Sequence, residues 1–222
     1  MHQTNQPLQA MRIWDAPVRL FHWLLVAAVV AAYVTAQLGI EMRPWHMRLG
    51  YAIVALLGFR LTWGFVGGRT SRFRAFCYHP SSAWRHARQL LAGHEPPAAG
   101  HNPLGSYMVF LLLLLLLMQV VTGLCASDDI LYQGPLHHLL PARWGRLLSQ
   151  WHSWQVNVLL AAVIMHVLAI MFYWMRGENL IKPMITGWKE VPVGTPPTPN
   201  LWGRGLVLLA LWLLAAYLMM QL

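Results

Sequence analysis

Residues 151–175 read WHSWQVNVLLAAVIMHVLAIMFYWM. The stretch has no Asp, Glu, Lys or Arg, and it exceeds the ~20 apolar residues that a helix needs to cross a bilayer core. Two histidines interrupt it, His152 and His166, 14 residues apart. At about 100° per residue that spacing falls about 40° short of four turns, so both imidazoles share one face, ~21 Å apart along the axis. An ionisable group inside a membrane is costly and marks a functional position by default. The stretch therefore predicts a transmembrane helix with one functional histidine near each end.

Four other stretches meet the same length requirement: 18–38, 45–66, 104–124 and 201–222. The 45–66 span is the weakest, because Arg48 and Arg60 interrupt it. Composition agrees with a membrane protein. The chain has 222 residues, of which 57% are hydrophobic and 10% charged, against about 25% charged in soluble domains. That excludes an ordinary soluble enzyme and a disordered protein. The net charge is +9 with histidines neutral. The basic residues are scattered between apolar spans rather than gathered on one face, which argues against nucleic acid and for anionic lipid head groups or an anionic cofactor. The sequence contains no CxxCH, CxxC, HExxH, GxGxxG or P-loop, which removes the main supports for covalent c-type haem, zinc hydrolysis and nucleotide binding.

Lys and Arg placement sets the expected orientation. With the N-terminus cytoplasmic, the inside segments hold eleven (Arg12, Arg19, Arg69, Arg72, Arg74, Arg85, Arg88, Arg176, Lys182, Lys189 and Arg204) and the outside segments hold Arg43, Arg143 and Arg146. The C-terminus then lies outside, and Cys77 and Cys125 fall on opposite sides, so no disulfide joins them. Val34-Thr35-Ala36 resembles a signal cleavage site, but the apolar stretch before it is too long for a typical signal peptide. Segment 67–103 is long and basic, with a short amphipathic helix expected near Ser82–Leu91. Residues 1–17 read as a cytoplasmic tail, and 190–200 as a Pro-rich linker before the last span.

Four histidines fall within spans: His22 at the inner side of the first, His46 at the outer side of the second, His152 at the outer side and His166 at the inner side of the fourth. They form two level pairs, His46/His152 outside and His22/His166 inside. Two imidazoles facing each other across a bundle core suit a bis-His haem iron. Arg60, 14 residues beyond His46, is expected to face the interior at the inner level, where a haem propionate would be its partner. The fold expected is all-α: an integral membrane four-helix bundle over residues 18–189 holding two haems, plus a fifth transmembrane helix at 201–222. Of the remaining histidines (His2, His79, His86, His94, His101, His137 and His138), most read as surface groups. His101 opens the third span close to the inner site, a position suited to a quinone or haem edge.

Several motifs carry a resemblance. Arg19-Leu20-Phe21-His22-Trp23, Trp45-His46-Met47-Arg48-Leu49-Gly50-Tyr51, Phe59-Arg60-Leu61-Thr62-Trp63-Gly64-Phe65-Val66-Gly67, Gly100-His101-Asn102-Pro103-Leu104-Gly105 and the run from Gly177 to Gly187 together resemble the bacterial cytochrome b561 family, which includes b-type cytochrome subunits of nickel-iron hydrogenases and formate dehydrogenases. The resemblance covers residues 11–189. It implies one haem ligand on the first helix, one on the second and two on the fourth, which fall on His22, His46, His152 and His166. Quinol–cytochrome c complexes and ferric reductases instead carry paired histidines on each of two helices. The fifth span lies outside the family's basic pattern and is expected to pack against a partner subunit or lipid.

The function expected is a dihaem b-type cytochrome of the bacterial inner membrane. It would carry electrons between the quinone pool and a periplasmic partner, a c-type cytochrome or a dehydrogenase, with the quinone near His101 and Asn102. A homodimer is compatible with this. The alternative is a superoxide oxidase that reduces ubiquinone, with Arg43, Arg48, Arg143 and Arg146 as a cationic funnel; Asp128 and Asp129 would oppose it if they line the same mouth. A third reading is a haem-free anchor or transporter using histidine for protons, zinc or copper; it lacks intramembrane carboxylates.

Overall fold

The computed structural model describes residues 7–93, 100–128, 130–199 and 201–221; His2, His94 and Asp129 lie outside them. In chain order the elements are β1 (Leu8–Arg12), α1 (Ala16–Gln37), α2 (Arg43–Val66), α3 (Pro80–Leu91), α4 (Pro103–Leu124), α5 (Ala142–Met175), α6 (Ile181–Thr186), β2 (Trp188–Pro192) and α7 (Trp202–Met219). Helices α1, α2, α4, α5 and α7 are each long and apolar enough to cross a membrane. Their starts follow local chemistry. Asp15 caps α1 by accepting from Val18 N–H, with Pro17 in the first turn. Asn102 caps α4 by accepting from Gly105 N–H at 2.7 Å, directly before Pro103. A side-chain acceptor satisfies an orphan donor, and a first-turn proline needs none.

The weakest span by sequence is the most buried one. In α2, 56% of the best apolar window is buried, against 11–22% in the other four. The polarity that weakens its hydropathy faces protein: Arg60 is 3% exposed. Helix α2 packs against α1, α4 and α7, while α5 packs along α4 and makes at most slight contact with α1 and α2. Two amides fasten the α4–α5 pair: Gln119 Nε2 donates to His152 O at 3.0 Å and Gln155 Nε2 to Leu115 O at 2.9 Å. Such interhelical hydrogen bonds stand in for the hydrophobic effect, which does not drive helix association in lipid.

Three differences from the sequence reading have physical causes. Helix α5 begins at Ala142 rather than near Trp151, because the polar turns before Trp151 continue the helix beyond the apolar span. The fifth span packs one face on its own chain: Trp212 lies over Gly58, where a Cβ would come within 2.3 Å of its ring, and its Nε1 donates to Thr62 Oγ1 at 3.3 Å. Only the opposite face, with Leu206, Leu211 and Leu218 exposed, is left for lipid or a partner. Finally, the tail and the linker meet. Strand β1 pairs antiparallel with β2, from Leu8↔Pro192 to Arg12↔Trp188.

That ribbon closes the basic end of the bundle, and Asp15 anchors it. The Asp15 carboxylate is 1% exposed. Besides Val18 N–H it accepts from Ser71 Oγ at 2.6 Å, Trp63 Nε1 at 3.1 Å and Gly68 N–H at 3.2 Å. The start of α1 is thereby tied to the end of α2. Gly68 permits the approach, since a Cβ there would stand 2.2 Å from a carboxylate oxygen.

Candidate functional site

At the end opposite the ribbon, α2 and α5 bring the His46 and His152 rings together with their planes nearly perpendicular, centres 6.0 Å apart at 79°. Each ring has one nitrogen engaged with backbone: His46 Nδ1 lies 2.8 Å from Ala32 O and His152 Nδ1 lies 3.0 Å from Gln119 O. A carbonyl accepts, so each Nδ1 carries the proton and each Nε2 keeps its lone pair for a metal. Two metal–imidazole bonds of about 2 Å, with the half-rings behind them, span roughly 6 Å.

A cavity of about 520 Å³ adjoins the pair, walled by α1, α2, α4 and α5. Gly50 lines it, and a Cβ at Gly50 would meet nothing within 4 Å. Glycine in a helix interior costs about 1 kcal/mol relative to alanine, so a glycine beside open space in mid-helix fits a flat group lying against the backbone. On the facing side, a Cβ at Gly123 would come within 2.8 Å of the His152 ring. Arg43 and Asp128 line the cavity mouth, whereas Arg48, Arg143 and Arg146 do not line it; Arg48 and Arg143 lie over the neighbouring Trp45 and Trp144.

At the basic end, His22 lies on α1, its ring centre 5.0 Å from that of Trp23, and His166 lies on α5 with no ring contact to His22 among the described residues. His22 Nδ1, His101 Nδ1 and Arg60 Nη1 are buried with no hydrogen-bond partner among the described residues. The Arg60 guanidinium lies 4.8 Å from the Phe73 ring centre, and His101 is held between Trp14 and Phe76, each at 4.7 Å. Burial, with the Arg60 charge second, pushes the His101 imidazole down to about 3. A buried guanidinium nitrogen is costly unless an acceptor meets it, which suits a carboxylate-bearing ligand such as a haem propionate.

The structure also gathers groups that the sequence reading did not. His86, read as a surface group, is 4% exposed, with Nε2 3.4 Å from Tyr173 Oη. It lines a second cavity of about 540 Å³ together with His101 and Asn102. The available signal was its place on α3, one turn before Leu90, the other buried residue of that helix. Gln119 and Gln155 were likewise not singled out. No three His, Cys, Asp or Glu side chains gather as a metal site among the described residues.

The family model described as prokaryotic cytochrome b561 matches residues 13–187. The chain is 25% identical over 227 residues to a probable Ni/Fe-hydrogenase 1 B-type cytochrome subunit of Escherichia coli K12, covering 87% of this chain and 97% of that protein. It is 27% identical over 213 residues to the probable Ni/Fe-hydrogenase B-type cytochrome subunit of Azotobacter chroococcum (81% and 88% covered). The Cupriavidus necator counterpart is 23% identical over 220 residues (84% and 89% covered). No solved structure matches the chain.

Proposed function

The chain belongs to the prokaryotic cytochrome b561 family, a family of multi-pass membrane b-type cytochromes, and from that premise we propose that it carries electrons across the bacterial inner membrane through two bis-His haems. His46 and His152 hold one and His22 and His166 the other, with Arg60 facing a propionate of the second. Bound haem supplies one-electron redox chemistry. The protein fixes ligand tautomers through Ala32 O and Gln119 O and keeps the interior apolar. The observation that carries this reading is the His46/His152 pair at 6.0 Å with both Nδ1 atoms on backbone carbonyls.

The excess of basic residues at the ribbon end supports a cytoplasmic position for it. A quinone then exchanges electrons near His101 and Asn102, and the His46/His152 end faces a periplasmic partner. The relatives are named as Ni/Fe-hydrogenase cytochrome subunits, so that partner is a Ni/Fe-hydrogenase. Ile130 and Leu131, 78% and 69% exposed beside the cavity mouth, suit protein contact. Superoxide oxidation has less support, since of the four candidate arginines only Arg43 lines the mouth, and Asp128 lines it too.

An oxidised-minus-reduced absorption spectrum with pyridine haemochrome quantitation tests the proposal. Two low-spin b haems per chain support it. One haem means that a pair is misassigned. Folded protein that binds none overturns the electron-transfer reading.

A further inference from the structure

Helix α3 turns Ser82, Arg85, His86 and Gln89 toward the 540 Å³ cavity at the basic end, and His101 and Asn102 line it from the segment before α4. We infer that His86 is the group that exchanges protons with a quinone headgroup bound against His101 and Asn102. This rests on the reading above that a quinone reacts at that end. Asn102 Nδ2 donates to Tyr173 Oη at 2.8 Å, which leaves the Tyr173 hydroxyl proton to be donated to His86 Nε2 at 3.4 Å. When His86 is protonated, the same contact reverses, with Nε2–H donating to the phenol oxygen while the Tyr173 hydroxyl proton reorients. The Tyr173–His86 contact is thus kept in either charge state of the imidazole.

The surroundings suit that role. Tyr173 meets His86 from α5, and Arg176, just past the end of that helix, donates from Nη1 to Leu90 O at 3.0 Å, one turn along α3. Glu178 follows α5, Arg69 and Tyr78 come from the segment between α2 and α3, and Arg85 precedes His86 on its own helix. Burial lowers the His86 pKa below its ordinary value, and the Glu178 carboxylate opposes that shift. Among side chains imidazole has the unperturbed range for exchange near neutral pH, whereas Arg69 and Arg85 stay charged and favour a headgroup gaining negative charge.

Reduction of one quinone would consume two electrons, supplied one at a time by bound haem, and two protons. The His86 imidazolium would deliver the protons to the headgroup oxygens one at a time and be reprotonated from bulk solvent between transfers. Quinol oxidation reverses every transfer.

The test follows reoxidation of chemically reduced, haem-loaded protein by decylubiquinone in stopped flow across pH. Wild-type rates should fall as pH rises through the His86 transition. H86Q should be about 10²-fold slower, lose that transition, and recover rate when imidazole is added. Its affinity for a non-reducible quinone analogue, measured by calorimetry, should be unchanged. An H86Q variant with the wild-type rate and profile overturns the inference, as does a slow variant that keeps the wild-type profile and ignores imidazole. Wild-type haem that decylubiquinone does not oxidise overturns the quinone reading and this inference with it. If H86Q loses haem, Y173F decides: a shifted pH transition supports the inference, and an unshifted one overturns it.

Discussion

At the end away from the ribbon, His46 and His152 each rest a ring nitrogen on a backbone carbonyl, at 2.8 and 3.0 Å. At the ribbon end, His22 Nδ1, His101 Nδ1 and Arg60 Nη1 are buried without such partners among the described residues. The first end is preorganised by the helices alone: α1 lends Ala32 O to His46 on α2, and α4 lends Gln119 O to His152 on α5. At the second end the unpartnered atoms include two imidazole nitrogens and a guanidinium nitrogen, whereas beside the first pair they are Arg43 Nε and Gln119 Oε1, among the described residues. The second end's rigidity comes from elsewhere, from the Asp15 carboxylate that ties α1 to the segment after α2. One end therefore positions its histidines directly, and the other positions the frame around them.

The largest expected effect comes from breaking each pair. H152A should remove one of two haems and leave the other's spectrum intact, and H166A should do the reciprocal. Haemochrome quantitation with potentiometric titration checks both. Loss of both haems from either variant would mean that the ends are not independent.

Next in size is D15A, which strands Trp63 Nε1, Gly68 N–H and Ser71 Oγ. Removing one partner from a buried charged network costs about 2–4 kcal/mol. Thermal unfolding in detergent should show that loss, with the His46/His152 haem retained at temperatures where the basic end has opened.

A smaller effect is expected at Gly50. G50L fills the open space beside His46, and should weaken haem at that pair by about 10–100-fold, the scale of a disturbed metal surround. G50A should leave binding closer to wild type and stabilise the haem-free protein by up to about 1 kcal/mol. Equal haem affinity in G50L and wild type would show that nothing lies against that backbone.

The smallest effect is at Asp128, whose carboxylate accepts from the N–H groups of Ile130, Leu131 and Tyr132 at 2.9–3.0 Å. The bond from Tyr132, then those from Leu131 and Ile130, hold its pKa below the ordinary value. A depressed carboxylate contributes stability above its unfolded pKa of about 3.9 and loses it as pH falls through the lower folded value. Amide exchange in 127–133 should accelerate below about pH 4, while D128N exchanges quickly at neutral pH as well. The spectra of both haems should stay unchanged in D128N.

The spans, and the phase of the polar groups along each one, are legible in the order of residues alone. Fourteen residues between His152 and His166 put both on one face whatever surrounds the helix, and the same spacing aimed Arg60 inward with His46. Those are properties of a single helix, where periodicity converts directly into direction. Tertiary structure alone decided which carbonyls the histidines meet, how far His86 is buried against Tyr173, that Leu8–Arg12 pairs with Trp188–Pro192, and that α7 covers Gly58 with Trp212. Each of these joins residues more than ten positions apart. Their neighbours are set by which helices pack together, and no local period in the chain encodes that choice.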